Sequence, residues 1–469
     1  MNDFVKKLVG FSLGPIGGAL IAFVTIPVTT HFVAPQEYGK AGMFTLVQTL
    51  FVTFLYLGID QAYTREFHET QDRRCLFQNA LLIPLVSTVL LAALLTLRAD
   101  LVSRWLFGRA GYRAAVMLMA LMLIFMVIER FILLSVRMQE QAFAYSLFAI
   151  VIKLVVLAST LVFVLAVRRD FLAVVYSAAI GQIAADVYLI VHYRHLLDWR
   201  AFHYDQALLR RLLMFGLPLV VAASAAALLN AAGRLALRTW STFFEIGIFT
   251  ATLKISAVLS VIQTSFTNFW VPTAYRWYSE RRTVRDFQQV SEAVLLGMSV
   301  LFFGVLVFKQ LIVFVLSPAY ADAVYSLGFL CLQPVMYTVS ETTTLGIVFS
   351  RKSYLNILVS AAALLPCLLL NVVLVPRYGA AGAAAATGVA YLFFFCARSF
   401  FSATNWHAFS LKKHYSIACF LAIAAALNAC PIPYITVLNM LLCAAAILLQ
   451  WPSLKQMVAV LHCRRPLSR

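Results

Sequence analysis

The chain has 469 residues, 62% of them hydrophobic and 12% charged, with a mean hydropathy of +0.88, which excludes a water-soluble fold. About 290 apolar residues suffice for roughly fourteen membrane helices of about 20 residues each, leaving little for any soluble domain. Lys and Arg outnumber Asp and Glu by 37 to 19, a formal charge of +18, and in a membrane chain such an excess belongs first to orientation-setting loops rather than to a nucleic-acid partner.

The N-terminus, MNDFVKKLVGFSLGPIGGALIAFV, is a basic start followed by a long apolar run without a prompt small-residue cleavage site, and it reads as an uncleaved first span. Apolar runs then fall at 8–33, 41–63, 79–97, 114–136, 143–167, 171–193, 210–231, 243–271, 290–317, 323–350, 353–375, 380–402, 414–430 and 434–450. The last two are short and fit either full spans or a re-entrant or peripheral pair. With the N-terminus in the cytoplasm, 23 Lys and Arg fall on its side and 10 on the other, with Arg130, Lys153, Lys254 and Lys309 inside spans. That bias predicts a multi-pass protein of the bacterial inner membrane with both termini cytoplasmic. The segment 98–113 (RADLVSRWLFGRAGYR) puts four arginines on the outer side against the bias, and reads as an amphipathic stretch on anionic headgroups or as a ligand-steering loop.

The sequence repeats. KLVGFSLGP (7–15) resembles RLLMFGLP (211–218), Glu37-Tyr38-Gly39 resembles Glu245-Ile246-Gly247, and Tyr145 matches Tyr354, at offsets of 204 to 209. A six-span unit is even, so both halves enter the membrane in the same direction, an arrangement of parallel repeats with the substrate path between them. The expected organisation is a six-helix lobe at 1–197, a second at 198–405, and two additional helices with a basic tail at 406–469.

A charge at the bilayer centre costs at least about 2.5–3.5 kcal/mol, so each needs a partner or a wet cavity. Lys153 and Lys254 lie near the middle of their spans, one in each half, and suit an anionic passenger such as a pyrophosphate. Asp186 and Glu341 lie within roughly two turns of the midplane and read either as ion carriers or as members of internal ion pairs, such as Lys153 with Asp186. Glu129 and Arg130 sit nearer the cytoplasmic end of their span, while Lys309, near an outer end, reads as a snorkelling lysine. Gly14, Pro15 and Pro27 in the first span and Gly216 and Pro218 in the seventh read as hinges or as close packing by small residues. Trp270, Tyr275, Trp277 and Tyr278 resemble an interfacial aromatic belt, and His192, His195 and His203 share a basic loop. Eight cysteines form no CxxC pair, and there is no Walker loop, G-x-S-x-G or H-E-x-x-H, so no disulfide framework, metal site, cofactor or enzymatic centre is inferred.

FSLGPIGGALIAFVTIPVTTHFVAPQEYGKAGMF, GIDQAYTREF (58–67), LLMFGLPLV (212–220), IGIFTATLKIS (246–256) and LVPRYGAAGAAAAT (374–387) together resemble the bacterial polysaccharide-exporter family of O-antigen type flippases. That family lies within the multidrug, oligosaccharidyl-lipid and polysaccharide exporter superfamily. The resemblance implies an all-α fold of two six-helix lobes around a central cavity. It also implies movement of undecaprenyl-pyrophosphate-linked oligosaccharide repeat units across the plasma membrane by alternating access. It draws Asp60, Arg65 and Lys254 into the candidate site beside Lys153, Arg130 and Arg234, with Asp186, Glu341 and Asp60 as coupling candidates. Partners would be the lipid-linked substrate, membrane lipids, and a polysaccharide polymerase with chain-length proteins. One departure is Gly233-Arg234, where relatives often show Asp-Arg, which puts an ion pair there in doubt. The two extra spans are reminiscent of the lipid II flippase branch. A cation-coupled multidrug antiporter of the same superfamily is the alternative. A glycan polymerase or ligase would need a large outer loop, and the longest here is roughly 16 residues.

Overall fold

A computed structural model describes residues 3–350, 352, 354–406 and 409–455. Each of the fourteen apolar runs coincides with helix, and no strand occurs among the described residues. The protein is therefore an all-α, multi-pass membrane protein. Nine described helices are long and apolar enough to cross a membrane, or ten if one bent pair is a single span.

The helices fall into two compact units, residues 1–231 with 243–250 and residues 232–242 with 251–469. The first unit holds α1 (Asp3–Phe32), α2 (Pro35–Leu55), α3 (Ile59–Glu66), α4 (Arg73–Leu97), α5 (Ala99–Phe107), α6 (Arg113–Met138), α7 (Ala142–Val162, ending in a π turn) and α8 (Phe171–His192). The division passes through the next two helices, α9 (Gln206–Trp240) and α10 (Phe243–Ser279).

Helix starts are set by local chemistry. Asp72 caps α4 by accepting from the backbone N–H groups of Arg74 and Cys75, and Asp170 caps α8 through Ala173. Pro35 stands at the first position of α2, where its missing N–H costs nothing. Gly58, at φ +67°, separates α2 from α3 by a 48° bend, and a Cβ there would stand 2.2 Å from the Gly216 carbonyl oxygen of α9. Gly216 is equally constrained, because its own Cβ would lie 2.6 Å from Leu57 O.

Apolar burial cannot drive helix association in lipid, so close approach of backbones carries much of the packing. Gly14 and Gly17 of α1 face Ser146 and Ile150 of α7, each with only 3.0 Å between a built Cβ and its neighbour. The tightest crossing joins the two repeat motifs. A Cβ on Gly39 would lie 1.9 Å from Phe243 O, and one on Gly247 would lie 1.9 Å from Pro35 O, so α2 and the first turns of α10 cross reciprocally on their glycines.

The second unit continues with α11 (Val284–Val307), α12 (Lys309–Phe314), α13 (Ala323–Thr343), α14 (Leu345–Phe349), α15 (Leu355–Ala403), α16 (Lys412–Asn428) and α17 (Ile435–Leu449). Gly379, at φ +50° and ψ −126°, breaks α15 into two arms of about 24 residues, each long enough for a span at 1.5 Å per residue. These arms match the eleventh and twelfth runs. The terminal helices α16 and α17 are joined by a reciprocal amide pair, Asn428 to Asn439 at 2.7 and 2.9 Å, and Asn439 also donates to Leu306 O of α11 at 3.1 Å.

Three expectations change. Lys309 does not snorkel: it is 2% exposed and its Nζ donates to Asn428 O at 3.3 Å, a cation on the C-terminal carbonyl of α16. Trp270 is no belt anchor, because the turn of α10 faces it inward with Ala274, Phe287 and Leu345, leaving Tyr275 and Tyr278 exposed. Arg398, counted among the inner loop cations, lies inside α15 and is largely buried.

Candidate functional site

In the first unit, the Gly58 bend sets α3 so that Asp60 meets α6. Arg130 Nη2 lies 2.7 Å from Asp60 Oδ2, Gln61 donates to the same oxygen at 3.2 Å, and the guanidinium covers the Tyr56 ring at 5.5 Å. Two candidates chosen for different roles are thus one ion pair. The Nε of Arg130 is buried without a hydrogen-bond partner.

One residue back on α6, Glu129 joins a second group. Gln182 of α8 donates its amide to both Glu129 Oε2 at 2.9 Å and Asp186 Oδ1 at 2.8 Å. Gln182 and Asp186 share a helix face because they are four apart. Asp186 is fully buried, and the charge of Lys153 on α7 acts on both carboxyls. The stem of Lys153 passes Gly18 of α1, with 3.7 Å between its Cγ and a Cβ built there, and the side chain as a whole is exposed. Fully ionised, the two carboxyls exceed Lys153 by one negative charge, so one bound proton neutralises the group.

Arg65, exposed on α3, stacks over Phe215 of α9 at 4.8 Å, and Arg211 pairs with Glu66 at 3.5 Å. Of the hinge candidates, Gly14 and Gly216 sit at close helix contacts, while α1 and α9 stay helical through Pro27 and Pro218. The helix also runs through position 15, but the Pro15 side chain lies outside the described residues.

In the second unit, Glu341 in the last turn of α13 pairs with Arg398 Nη1 at 2.8 Å, with 4% and 11% of the two side chains exposed. Arg398 also donates to Ser340 Oγ at 2.9 Å and lies over the Tyr337 and Phe394 rings at 5.3 and 5.5 Å. Lys254 is exposed on α10 in this unit, and Arg234 of α9 is half-buried with its Nε lacking a hydrogen-bond partner. A further polar group escaped the sequence reading: Ser291 Oγ stands 2.7 Å from Thr342 Oγ1 and 2.8 Å from His414 Nε2, beside Glu292 bonded to Lys413 at 2.8 Å. Its only sequence signal is the adjacency of Ser291 to Glu292 and of Lys413 to His414.

Buried carboxyls held by arginine or amide partners, together with exposed lysines on spanning helices, make an intramembrane charge system. Residues 4–277, more than half the chain, match the family model described as polysaccharide biosynthesis protein. The chain belongs to that family. No curated protein matches. Among solved structures, a lipid II flippase MurJ in an inward closed conformation superposes with a TM-score of 0.74 at 11% identity, covering 96% of this chain and 99% of that one. An inward-facing multidrug resistance MATE family transporter of the MOP superfamily gives 0.57 at 13% identity over 88% and 96%. At these identities the likeness establishes a shared fold, the one expected for the multidrug, oligosaccharidyl-lipid and polysaccharide exporter superfamily.

Proposed function

We propose that this protein is a flippase carrying undecaprenyl-pyrophosphate-linked oligosaccharide repeat units, of O-antigen or another surface polysaccharide, across the bacterial inner membrane by alternating access, with both termini cytoplasmic. Family membership supports the polysaccharide pathway, and a full-length likeness to a lipid II flippase supports a lipid-linked cargo. The observation that carries the choice of cargo charge is which groups are presented. The carboxyl groups of Asp60, Asp186 and Glu341 are buried, whereas the side chains of Lys153 and Lys254 are exposed. A cation exporter needs carboxylates within reach of its substrate, and a pyrophosphate carrier needs cations.

In this reading Lys153 in the first unit and Lys254 in the second take the phosphate charge, with Arg65 and Arg234 as supporting cations. Asp60 and Arg130 hold α3 on α6. The Glu129, Gln182 and Asp186 group is the coupling element, because one proton there discharges the excess next to Lys153. No nucleotide motif exists, so an ion or proton gradient, or removal of product by a polymerase and its chain-length partner, drives the cycle. The test is complementation of a flippase-deficient strain: Lys153→Ala and Lys254→Ala should each abolish surface polysaccharide, and Lys153→Arg should retain part of it. Export left intact by both alanine variants overturns the cation reading.

A further inference from the structure

The segment 98–113 is ordered, and its order builds a cleft. Two candidate spans, Arg73–Leu97 and Arg113–Met138, bracket it directly, so α5 lies at the membrane boundary. Its inner face buries Ala99, Ser103, Leu106 and Phe107. Phe107 packs on Phe171 with ring centroids 4.8 Å apart. Ser103 Oγ donates to Arg109 O at 2.7 Å and accepts from the backbone N–H of Tyr112 at 3.2 Å, which fixes the turn through Gly108 back to α6. The helix is therefore held in place from below.

Its outer face is amphipathic in a particular order. Leu101 is 64% exposed and Trp105 43%, four residues apart on one face of α5, and Leu97, at the end of α4 before the break at Arg98, is 82% exposed. Beside these residues opens a cleft of about 660 Å³ walled by Arg98, Arg104 and Arg113, with Asp100 as its one carboxylate. Arg113 chelates Asp100 through Nε at 2.8 Å and through Nη2, and this bond holds the Asp100 carboxyl below the usual carboxylate range. The wall keeps a charge of plus two at neutral pH. At a membrane boundary the exposed Leu97, Leu101 and Trp105 meet acyl chains while the arginine-walled cleft lies level with headgroups.

We propose that this cleft is a binding site for the phosphodiester headgroup of an anionic phospholipid, with Arg98 and Arg104 taking the phosphate and Leu97, Leu101 and Trp105 lying along the upper acyl chain. Arg113, chelated by Asp100, sets the rim, and Arg104 also acts on the Asp100 carboxyl. The site belongs to α4, α5 and α6 alone and stands whether or not the export reading holds. Its role is to anchor the outer end of the first unit to the leaflet's anionic lipid.

The full-length chain, delipidated in a non-ionic detergent, is titrated with phosphatidylglycerol and separately with phosphatidylcholine, and lipid retention is read by native mass spectrometry. Phosphatidylglycerol should bind the wild-type chain in preference to phosphatidylcholine, and millimolar inorganic phosphate should not displace it, since the acyl contacts are part of the site. The Arg98→Gln, Arg104→Gln double variant should weaken phosphatidylglycerol binding roughly 30-fold, about fivefold per arginine. Arg98→Lys with Arg104→Lys should stay within a few-fold of wild type. Equal retention of the two lipids by wild type overturns the proposal, and this comparison needs no variant to fold. So does an unchanged affinity in the Gln variant, or full displacement by inorganic phosphate, which would mark a plain anion site.

Discussion

Neutralising Glu341 alone should destabilise the second unit severely, while neutralising Glu341 and Arg398 together should not. At 2.8 Å and an effective dielectric of about 20, the attraction between the two charges is about 6 kcal/mol. Desolvation costs several kcal/mol per ion, so the pair contributes little net stability even though each member depends on the other. Glu341→Gln leaves Arg398 with a bond to Ser340 Oγ and two aromatic faces but no counter-charge, at a cost of about 3–5 kcal/mol. Arg398→Gln should cost as much, by leaving a carboxylate whose side chain is 4% exposed. The double variant leaves no unpaired buried charge, although the shorter glutamine in place of Arg398 gives up the guanidinium's ring and Ser340 contacts, so it should cost about 1–2 kcal/mol, well short of the sum of the single variants, giving a coupling energy of several kcal/mol. Reversible unfolding in mixed detergent micelles measures all four corners of the cycle. Single variants that each cost under about 1 kcal/mol, or a double variant equal to their sum, would refute the argument. Export by the double variant then decides the role of Glu341. Restored export makes it a structural partner, and a stable but inactive double variant makes it part of ion coupling.

Gly39→Ala or Gly247→Ala places a Cβ 1.9 Å from a carbonyl oxygen of the opposing helix and should cost about 1–3 kcal/mol or more in the same unfolding assay, whereas Gly297→Ala, with nothing within 4 Å of its Cβ, should be neutral or mildly stabilising. Asn439→Leu removes the amide partner of Asn428 and a donor to Leu306 O, and should loosen α16 and α17, read as faster hydrogen exchange in 412–449 than in 323–343. In the exposed turn after α8, the backbone N–H of Arg200 and then the Arg74 guanidinium, 2.8 Å away, hold the Asp198 carboxyl below its ordinary value. A depressed folded value stabilises above the unfolded one and is lost as pH falls through it. Exchange in 194–203 should therefore be constant near neutrality and rise relative to the rest of the chain only below the ordinary carboxylate range; an increase already at pH 6 would contradict this.

Helices were legible because a spanning segment must satisfy its backbone internally and show lipid an apolar surface, so length and hydropathy alone delimit it. The break at Gly379 was legible for the same reason: LVPRYGAAG interrupts the run, although helix continues on both sides. What hydropathy gives is depth along the membrane normal, and what it cannot give is azimuth. Trp270 and Tyr275 occupy neighbouring depths on α10 and face opposite ways. Arg398 sat near the end of a run and was counted with the loop, because nothing one-dimensional says that α13 brings Glu341 beside it. Lys309 found a helix C-terminus more than a hundred residues downstream. Asp60 and Arg130, suspected separately, acquired meaning only as a pair.

The internal repeat was legible as Glu37-Tyr38-Gly39 and Glu245-Ile246-Gly247, and its physical cause is the crossing of the helices that carry them. A crossing built from two copies of one motif is self-complementary: the glycine of each clears the carbonyl of the other, so neither copy can acquire a side chain without displacing the opposing backbone. This constraint is local and independent of cargo, whereas the charges proposed to choose a cargo lie elsewhere on α6, α7, α8 and α10. The fold can thus be common to proteins of different cargo, as the two solved structures illustrate, while in the reading proposed above Lys153, Lys254 and the Glu129, Gln182 and Asp186 group set the cargo and its coupling. Exchanging Lys153 for a carboxylate should therefore abolish export and also lower unfolding stability, because it raises the negative excess at Glu129 and Asp186 from one charge to three, while the backbone contacts of the Gly39 and Gly247 crossing stay in place.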